Sequence, residues 1–238
     1  MHAEPLLTVV LAAYNERDSF QSTSREILDA LAARGIDAEF LVVDDGSTDG
    51  TGTLADSLAL QDSRVRVVHH APNLGLGGVY RTGFTGARGR YITFFPADGQ
   101  FPADIIASFL PHMSDYDLVL GVLPQRDGSP VSKALSYCER RFYAVLVGPM
   151  PTFQGILMFR RDLLGHFELQ STGRGWAVLL EFILRCARDG RRWINVPTAV
   201  RPRAHGTSKV NNGRTVWSNF RQIMALRRIL RVDPKSAT

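Results

Sequence analysis

Short apolar runs, each ending in a polar cluster and followed by a helix-like segment, repeat through the first part of this chain and constrain its fold more than any other feature. The runs are Leu6–Ala13, Phe40–Val43, Val65–His69 and Tyr91–Phe95. Each is short enough for a strand buried on both faces. Between them, Phe20–Arg34 has helical spacing through Ile27, Leu28 and Leu31 and stops at Gly35. Ser47 and Thr48 offer caps for a helix running to Leu60, and Gly77–Arg88 reads as a glycine-flanked helix. Strands alternating with helices imply parallel pairing through right-handed crossovers, hence an α/β sheet covered on both faces. Ligands of such sheets sit at the carboxyl ends of the strands. The polar clusters fall there: Asn15-Glu16, Asp44-Asp45, Asn73, then Asp98 and Gln100.

The second half is less regular. A helix is expected over Pro102–Met113, a strand over Asp117–Val122, a polar loop over Pro124–Ser129 and a long helix over Ser132–Val147. A strand over Gly155–Phe159, a helix over Trp176–Arg188, an extended segment over Trp193–Val200 and a final helix over Thr215–Arg231 follow. No repeat or low-complexity linker divides the 238 residues, so one domain is expected. With 45% hydrophobic and 21% charged residues, the composition excludes a disordered or fibrous chain. Cys138 and Cys186 are too few for a disulfide framework and read as small buried side chains of a protein in a reducing compartment. Neither a secretory signal nor a membrane span is recognisable, so a soluble or peripheral protein is expected. The charge is uneven. Residues 201–238 hold nine Lys and Arg against Asp233, a net +8 in a chain whose total is +5. That asymmetry predicts an anionic partner for the tail: a lipid surface, a nucleic acid or bound phosphates.

Neither G-x-G-x-x-G opening a helix nor the P-loop pattern occurs, which disfavours a dinucleotide enzyme or P-loop kinase. Cys and His residues show no zinc spacing. What stands out is acidic. Asp44-Asp45-Gly46-Ser47-Thr48-Asp49 follows a buried strand, where carboxylates can accept hydrogen bonds from a base or ribose; a tight turn with a helix cap accounts for the same residues. Asp98-Gly99-Gln100 offers hard oxygen ligands of the kind that hold Mg²⁺ or Mn²⁺ together with substrate phosphates; a turn at Gly99 is the other account.

Taken together, Val9–Glu16, Val42–Thr51, Asn73-Leu74-Gly75 and Ala97-Asp98-Gly99-Gln100 resemble family-two glycosyltransferases of the GT-A fold. Within that family the chain is most similar to the dolichol-phosphate mannose synthase and polyprenyl-phosphate glycosyltransferase branch. Arg203-Ala204-His205-Gly206-Thr207-Ser208-Lys209 resembles the branch's R-x-x-G-x-S-K loop, and Phe153-Gln154-Gly155 with Phe159-Arg160-Arg161 resembles another of its segments. The resemblance implies a GT-A domain over 1–213, with a nucleotide-binding half to about 100 and an acceptor half beyond it, and a basic amphipathic tail over 214–238. It implies that Ala13, Tyr14, Glu16, Asp44, Asp45 and Asn73 meet the donor nucleotide. Asp98 and Gln100 would hold Mg²⁺ or Mn²⁺, and Asp98, Arg203 and Lys209 would serve the departing diphosphate, whose developing charge a metal ion and cations stabilise.

The chain departs from the pattern where Pro96 replaces the first Asp of Asp-x-Asp and where Leu123 replaces an arginine that holds lipid phosphate. Arg126, Lys133, Ser136 and Ser208 are then the candidate acceptor residues. After Gly175-Trp176 the first acid is Glu181, and an (i, i+4) pairing with Arg185 accounts for it better than a general base does. A phosphate acceptor is already ionised near neutral pH and needs no base. The expected function is therefore inverting transfer of a sugar from a GDP- or UDP-linked donor to a polyprenyl phosphate at the cytoplasmic membrane face. A soluble hydroxyl acceptor is the alternative, and a non-catalytic nucleotide-sugar binding protein a third. Nucleic acid is not an expected partner, because no aromatic-interleaved platform for bases is present. On the final helix, Val216, Trp217, Phe220, Ile223, Met224, Leu226 and Leu230 share one face and Arg214, Arg221 and Arg228 the other. That helix fits either an anionic bilayer surface or packing on the core.

Overall fold

A computed structural model describes residues 4–123, 151–202 and 224–230. Strands β1 (Leu7–Ala13), β2 (Ala38–Asp44), β3 (Val65–His69) and β4 (Tyr91–Pro96) alternate with helices α1 (Arg17–Ala33), α2 (Thr51–Gln61) and α3 (Gly75–Gly86). The chain continues through α4 (Asp104–Phe109), a 3₁₀ turn over Leu110–Ser114, β5 (Leu118–Val122), β6 (Leu157–Arg160), a second 3₁₀ turn, α5 (Ala177–Arg188) and β7 (Trp193–Pro197). The sheet order is β3-β2-β1-β4-β6-β5-β7. All neighbours are parallel except β6, which runs antiparallel to β4 and β5. This is the GT-A-like architecture expected, a mostly parallel sheet between helical layers in one domain.

Side-chain alternation along β1 and β2 explains the two-sided core. Leu7, Val9 and Leu11 with Phe40 and Val42 face α1, α2 and α4. Val10 with Leu41 and Val43 faces α3 and α5, where Phe159 and Phe182 lie 4.6 Å apart. Strands buried on both faces carry apolar residues at most positions, which is why these runs are nearly continuous rather than alternating. The edge strand β7 shows the opposite pattern, with only Ile194 and Val196 turned to the core.

Three local expectations are corrected. Ser47 and Thr48 do not cap α2, whose N-cap is Gly50; the Asp49 carboxylate holds the Thr51 amide instead. The Pro102–Met113 segment is a short α-helix that tightens to 3₁₀ at Leu110, where Pro111 removes an amide donor. The extended run from Trp193 leaves the sheet at Pro197 rather than continuing to Val200. Cys186 is buried, and burial pushes its thiol pKa up, so it is a core side chain as expected; Cys138 lies outside the described residues. Residues 224–230 are helical, with Leu226 and Leu230 packed on Leu180 and Leu184 of α5 beside Trp176. The Leu230 carbonyl accepts a hydrogen bond from Arg188 at 2.9 Å. These two leucines of the apolar stripe therefore face the protein. Among the described residues, no helix is long and apolar enough to cross a membrane.

Candidate active site at the carboxyl edge of the sheet

β1 and β4 are central neighbours whose chains depart to opposite sides, which opens a crevice at their carboxyl ends. The loops after β1 and β2 are laced together on one side of it. The Asn15 amide donates to Ser47 Oγ at 2.9 Å, and the Thr48 amide to Asn15 Oδ1 at 2.8 Å. The Glu16 amide reaches Thr51 Oγ1 at 3.0 Å, and the Arg17 amide reaches Asp49 Oδ2 at 3.1 Å. Asn15 takes a left-handed φ of 51°, a conformation asparagine tolerates. Burial raises the Asp49 carboxyl, but the Thr51 hydroxyl and amide and the Arg17 amide outweigh it and hold the group below the usual range. Lacing fixes Ala13 beneath the loop and presents Tyr14 at 38% exposure.

Asp44 and Asp45 are buried, and both are already hydrogen-bonded within the protein. Asp44 accepts the Ser47 amide at 3.1 Å and pairs with His69 Nδ1 at 2.9 Å; His69 Nε2 reaches Asp56 at 3.0 Å. Donation to the carboxylates of Asp44 and then Asp56 holds the His69 pKa above its ordinary value, against an opposing burial effect. Asp45 Oδ1 accepts the Leu74 amide at 2.8 Å and meets His70 Nδ1 at 2.7 Å, while Oδ2 accepts the Gly75 amide at 2.8 Å. Asp45 is thus the cap of α3, a helix that starts thirty residues later. His70 Nε2 closes the arrangement on Thr82 Oγ1 of α3 at 2.7 Å.

Asn73 bridges two parts of the molecule. Its side-chain amide donates to the Asp45 carbonyl at 2.7 Å. Its own carbonyl and side-chain oxygen accept Arg174 Nη1 and Nη2 at 2.7 and 2.5 Å. Arg174 belongs to the 170–176 loop, which Arg81 of α3 also holds through the Gly173 carbonyl at 3.2 Å. Glu181 of α5 is fully buried and accepts the Gln170 amide at 3.0 Å, the Ser171 amide at 2.7 Å and Arg185 Nε at 2.9 Å. A Cβ at Gly75 would lie 2.5 Å from the Arg174 carbonyl oxygen, and one at Gly77 2.6 Å from that of Gly175, so the loop lies flat on the start of α3.

On the other side of the crevice, Asp98 follows β4, buried, with Oδ1 accepting the Gln100 amide at 3.1 Å across the left-handed Gly99. Among the described residues, no three His, Cys, Asp or Glu side chains converge as a metal cage would require. Mg²⁺ and Mn²⁺ are commonly held by one or two carboxylates with substrate phosphates and water completing the shell. One buried carboxylate at a strand end, with the Gln100 amide oxygen two residues on, fits a cation that arrives with a diphosphate.

The sequence profile described as Glycosyl transferase family 2 matches residues 8–185. The chain belongs to this family.

The glycosyltransferase is 30% identical over 215 residues to an undecaprenyl-phosphate mannosyltransferase of Micrococcus luteus, covering 86% of this chain and 87% of the relative. It is 29% identical over 231 residues to a polyprenol monophosphomannose synthase of Mycolicibacterium smegmatis, covering 91% and 83%. Its fold matches glucosyl-3-phosphoglycerate synthase from Mycobacterium tuberculosis, solved with Mn²⁺, UDP-glucose and phosphoglyceric acid, at a TM-score of 0.63 and 19% identity over 93% of this chain and 80% of that one. The glycosyltransferase brings Ala13, Tyr14, Glu16, Asp44, Asp45, Asn73, Asp98 and Gln100 to one edge of its sheet, at the last residues of β1 and β2 and on the loops that follow β1, β2, β3 and β4. Arg203, Ser208 and Lys209, together with Arg126, Lys133 and Ser136, lie outside the described residues. Sequence reasoning missed Arg174, His69 and His70. An arginine set between two glycines just ahead of a helix was the signal for the first.

Proposed function

We propose that this glycosyltransferase moves a sugar from a nucleotide-sugar to a polyprenyl phosphate. The names of the M. luteus and M. smegmatis relatives support the acceptor class and favour mannose as the sugar. The observation that carries the choice is Glu181. Transfer to a hydroxyl needs a general base, and the first acid after Gly175-Trp176 is spent on two backbone amides and Arg185 in a fully buried position. An ionised phosphate needs no base. Its oxygen forms the new bond to the anomeric carbon as the bond to the donor diphosphate breaks, and the nucleoside diphosphate leaves with the electron pair.

In this reading Ala13, Tyr14, Glu16, Asp44, Asp45 and Asn73 shape the nucleotide end of the crevice. Asp98 and Gln100 would hold Mg²⁺ or Mn²⁺, whose chemistry is to neutralise charge on the leaving diphosphate. Arg203 and Lys209 serve the donor phosphates. Arg126, Lys133, Ser136 and Ser208 receive the acceptor phosphate, a task Leu123 cannot perform. The tail carries the protein to the cytoplasmic face of an anionic membrane, at roughly 1 kcal/mol or less per basic residue and in a salt-sensitive manner. Charge reversal at Arg221 and Arg228 tests this better than truncation, because Leu226 and Leu230 belong to the packing of α5.

The deciding experiment is a screen of GDP-mannose, UDP-glucose and UDP-N-acetylglucosamine with Mn²⁺, with and without a short prenyl phosphate, read by mass spectrometry. A prenyl-phosphate-linked hexose is the expected product. Faster transfer to a water-soluble alcohol than to any prenyl phosphate overturns the reading in favour of a soluble hydroxyl acceptor. Nucleotide-sugar binding without turnover on any acceptor favours a binding protein.

A further inference from the structure

Helix α1 grips the Asp98 turn at both ends. Thr23 Oγ1 donates to the Ala97 carbonyl at 3.3 Å, and one turn later Glu26 Oε1 accepts the Ala103 amide at 3.0 Å. The second oxygen of Glu26 is turned to a distant part of the chain, where it pairs with Arg201 Nη1 at 2.7 Å. Arg201 is fastened to the same turn by its backbone. Its amide donates to the Gln100 carbonyl at 2.7 Å, and its carbonyl accepts Gln100 Nε2 at 3.4 Å. Four hydrogen-bonding contacts thus join α1, the turn after β4 and the exit of β7 around Glu26 and Arg201.

We propose that Glu26 and Arg201 are a positioning pair for glycosyl transfer: they lock the exit of β7 to the Asp98–Gln100 turn, so that the carboxylate for the donor-bound cation and the start of the chain leading to Arg203 and Lys209 are placed together. The inference rests on the reading of Asp98 and Gln100 as the cation-holding residues. The geometry supports it in two ways. The Gln100 side chain is oriented through its amide nitrogen by the Arg201 carbonyl, which turns its oxygen end away from that contact. The pair itself is exposed, 38% at Glu26 and 49% at Arg201, so its contribution to global stability is small and its value lies in local geometry. Burial would raise the Glu26 carboxyl, but Arg201 and the Ala103 amide outweigh it and keep the pair ionised at neutral pH.

The test compares the full chain with Glu26→Gln, Arg201→Ala and Arg201→Lys. Hydrogen exchange of the peptide spanning residues 98–103 in ligand-free protein reads the lock directly. Faster exchange in Glu26→Gln and Arg201→Ala, with melting temperatures unchanged, is expected. Outer partners of metal ligands typically shift affinity by about 10-fold or more, so Mn²⁺ binding in the presence of GDP or UDP is expected to weaken by about 10-fold in both variants and to recover in large part in Arg201→Lys. Unchanged exchange in both variants overturns the proposal whatever the protein binds. So does a loss of Mn²⁺ affinity that merely tracks a fall in melting temperature. Wild-type protein that binds neither nucleotide with Mn²⁺ overturns the cation reading of Asp98 and Gln100 instead, and with it the cation part of this inference.

Discussion

Arg174 and Asn73 are joined twice, with one guanidinium nitrogen 2.7 Å from the Asn73 carbonyl oxygen and the other 2.5 Å from its side-chain oxygen. The two residues are 101 positions apart, and their junction is where the segment between β3 and α3 meets the loop ahead of α5. A lysine cannot reproduce two parallel contacts from one planar group. Arg174→Ala and Arg174→Lys are therefore both expected to lower kcat/KM for transfer by about 10-fold, through misplacement of the loop rather than loss of the contact's own energy. Unfolding free energy should stay within about 1 kcal/mol, because the guanidinium is partly exposed. Steady-state kinetics beside urea melts check this; equal losses in both would make the clasp purely structural.

Asp45→Ala should cost more than a surface change. It removes the acceptor of the part-buried Leu74 and Gly75 amides and of the buried His70 Nδ1 at once, at about 1–3 kcal/mol for each buried group left unpaired. A loss of about 3 kcal/mol or more in denaturant unfolding is expected, with nucleotide binding weakened in what remains folded. A variant as stable as wild type would show that α3 does not depend on this cap.

Asp98→Asn keeps the shape of the turn and removes the charge. Metal-dependent turnover of the donor is expected to fall by at least about 100-fold, the scale lost with a charge-stabilising group in the transition state, while the melting temperature holds. Undiminished turnover with Mn²⁺ would remove Asp98 from the chemistry.

Glu181→Gln exposes the Arg185 guanidinium to a neutral partner in the core. Breaking a buried pair costs about 3–5 kcal/mol, so a large loss of stability is expected. Turnover on prenyl phosphate per folded molecule should stay within about three-fold, measured with active-site titration at low temperature. A stable variant without activity would return Glu181 to the role of base.

His69 makes stability depend on pH in a definite direction. Its folded pKa lies above the ordinary 6.5 because Asp44 and Asp56 favour the cation. The stabilisation is therefore complete below about pH 6.5, while both carboxylates remain ionised, and is lost as pH rises through the raised folded value. The melting temperature of wild type should exceed that of His69→Gln at pH 5.5 by more than at pH 8.5. Parallel curves across that range would show that the imidazolium contributes nothing.

Strands β1, β2 and β4 were legible because burial on both faces writes itself as a nearly unbroken apolar run, and the edge strand β3 because its valines stand out between polar flanks. The reversal of β6 was not, since Leu157–Arg160 reads the same in either direction. Glu181 with Arg185 was legible because four residues on a helix is a contact by geometry alone. Ser47 was read as a cap because its type suits one; its partner is the Asn15 amide, 32 residues away. Asp45 looked like a turn or ligand residue, and nothing local shows that its donors are Leu74 and Gly75. The Glu26 to Arg201 link spans 175 positions, and such contacts exist only once the sheet has assembled.

Because carbonyl oxygens of the 173–175 backbone occupy the space where side chains would grow from Gly75 and Gly77, these two positions admit a one-letter alphabet. A saturation library selected for activity should return glycine at both. Change along this seam then has to enter through the loop's own side chains, because the surface beneath it is closed to variation.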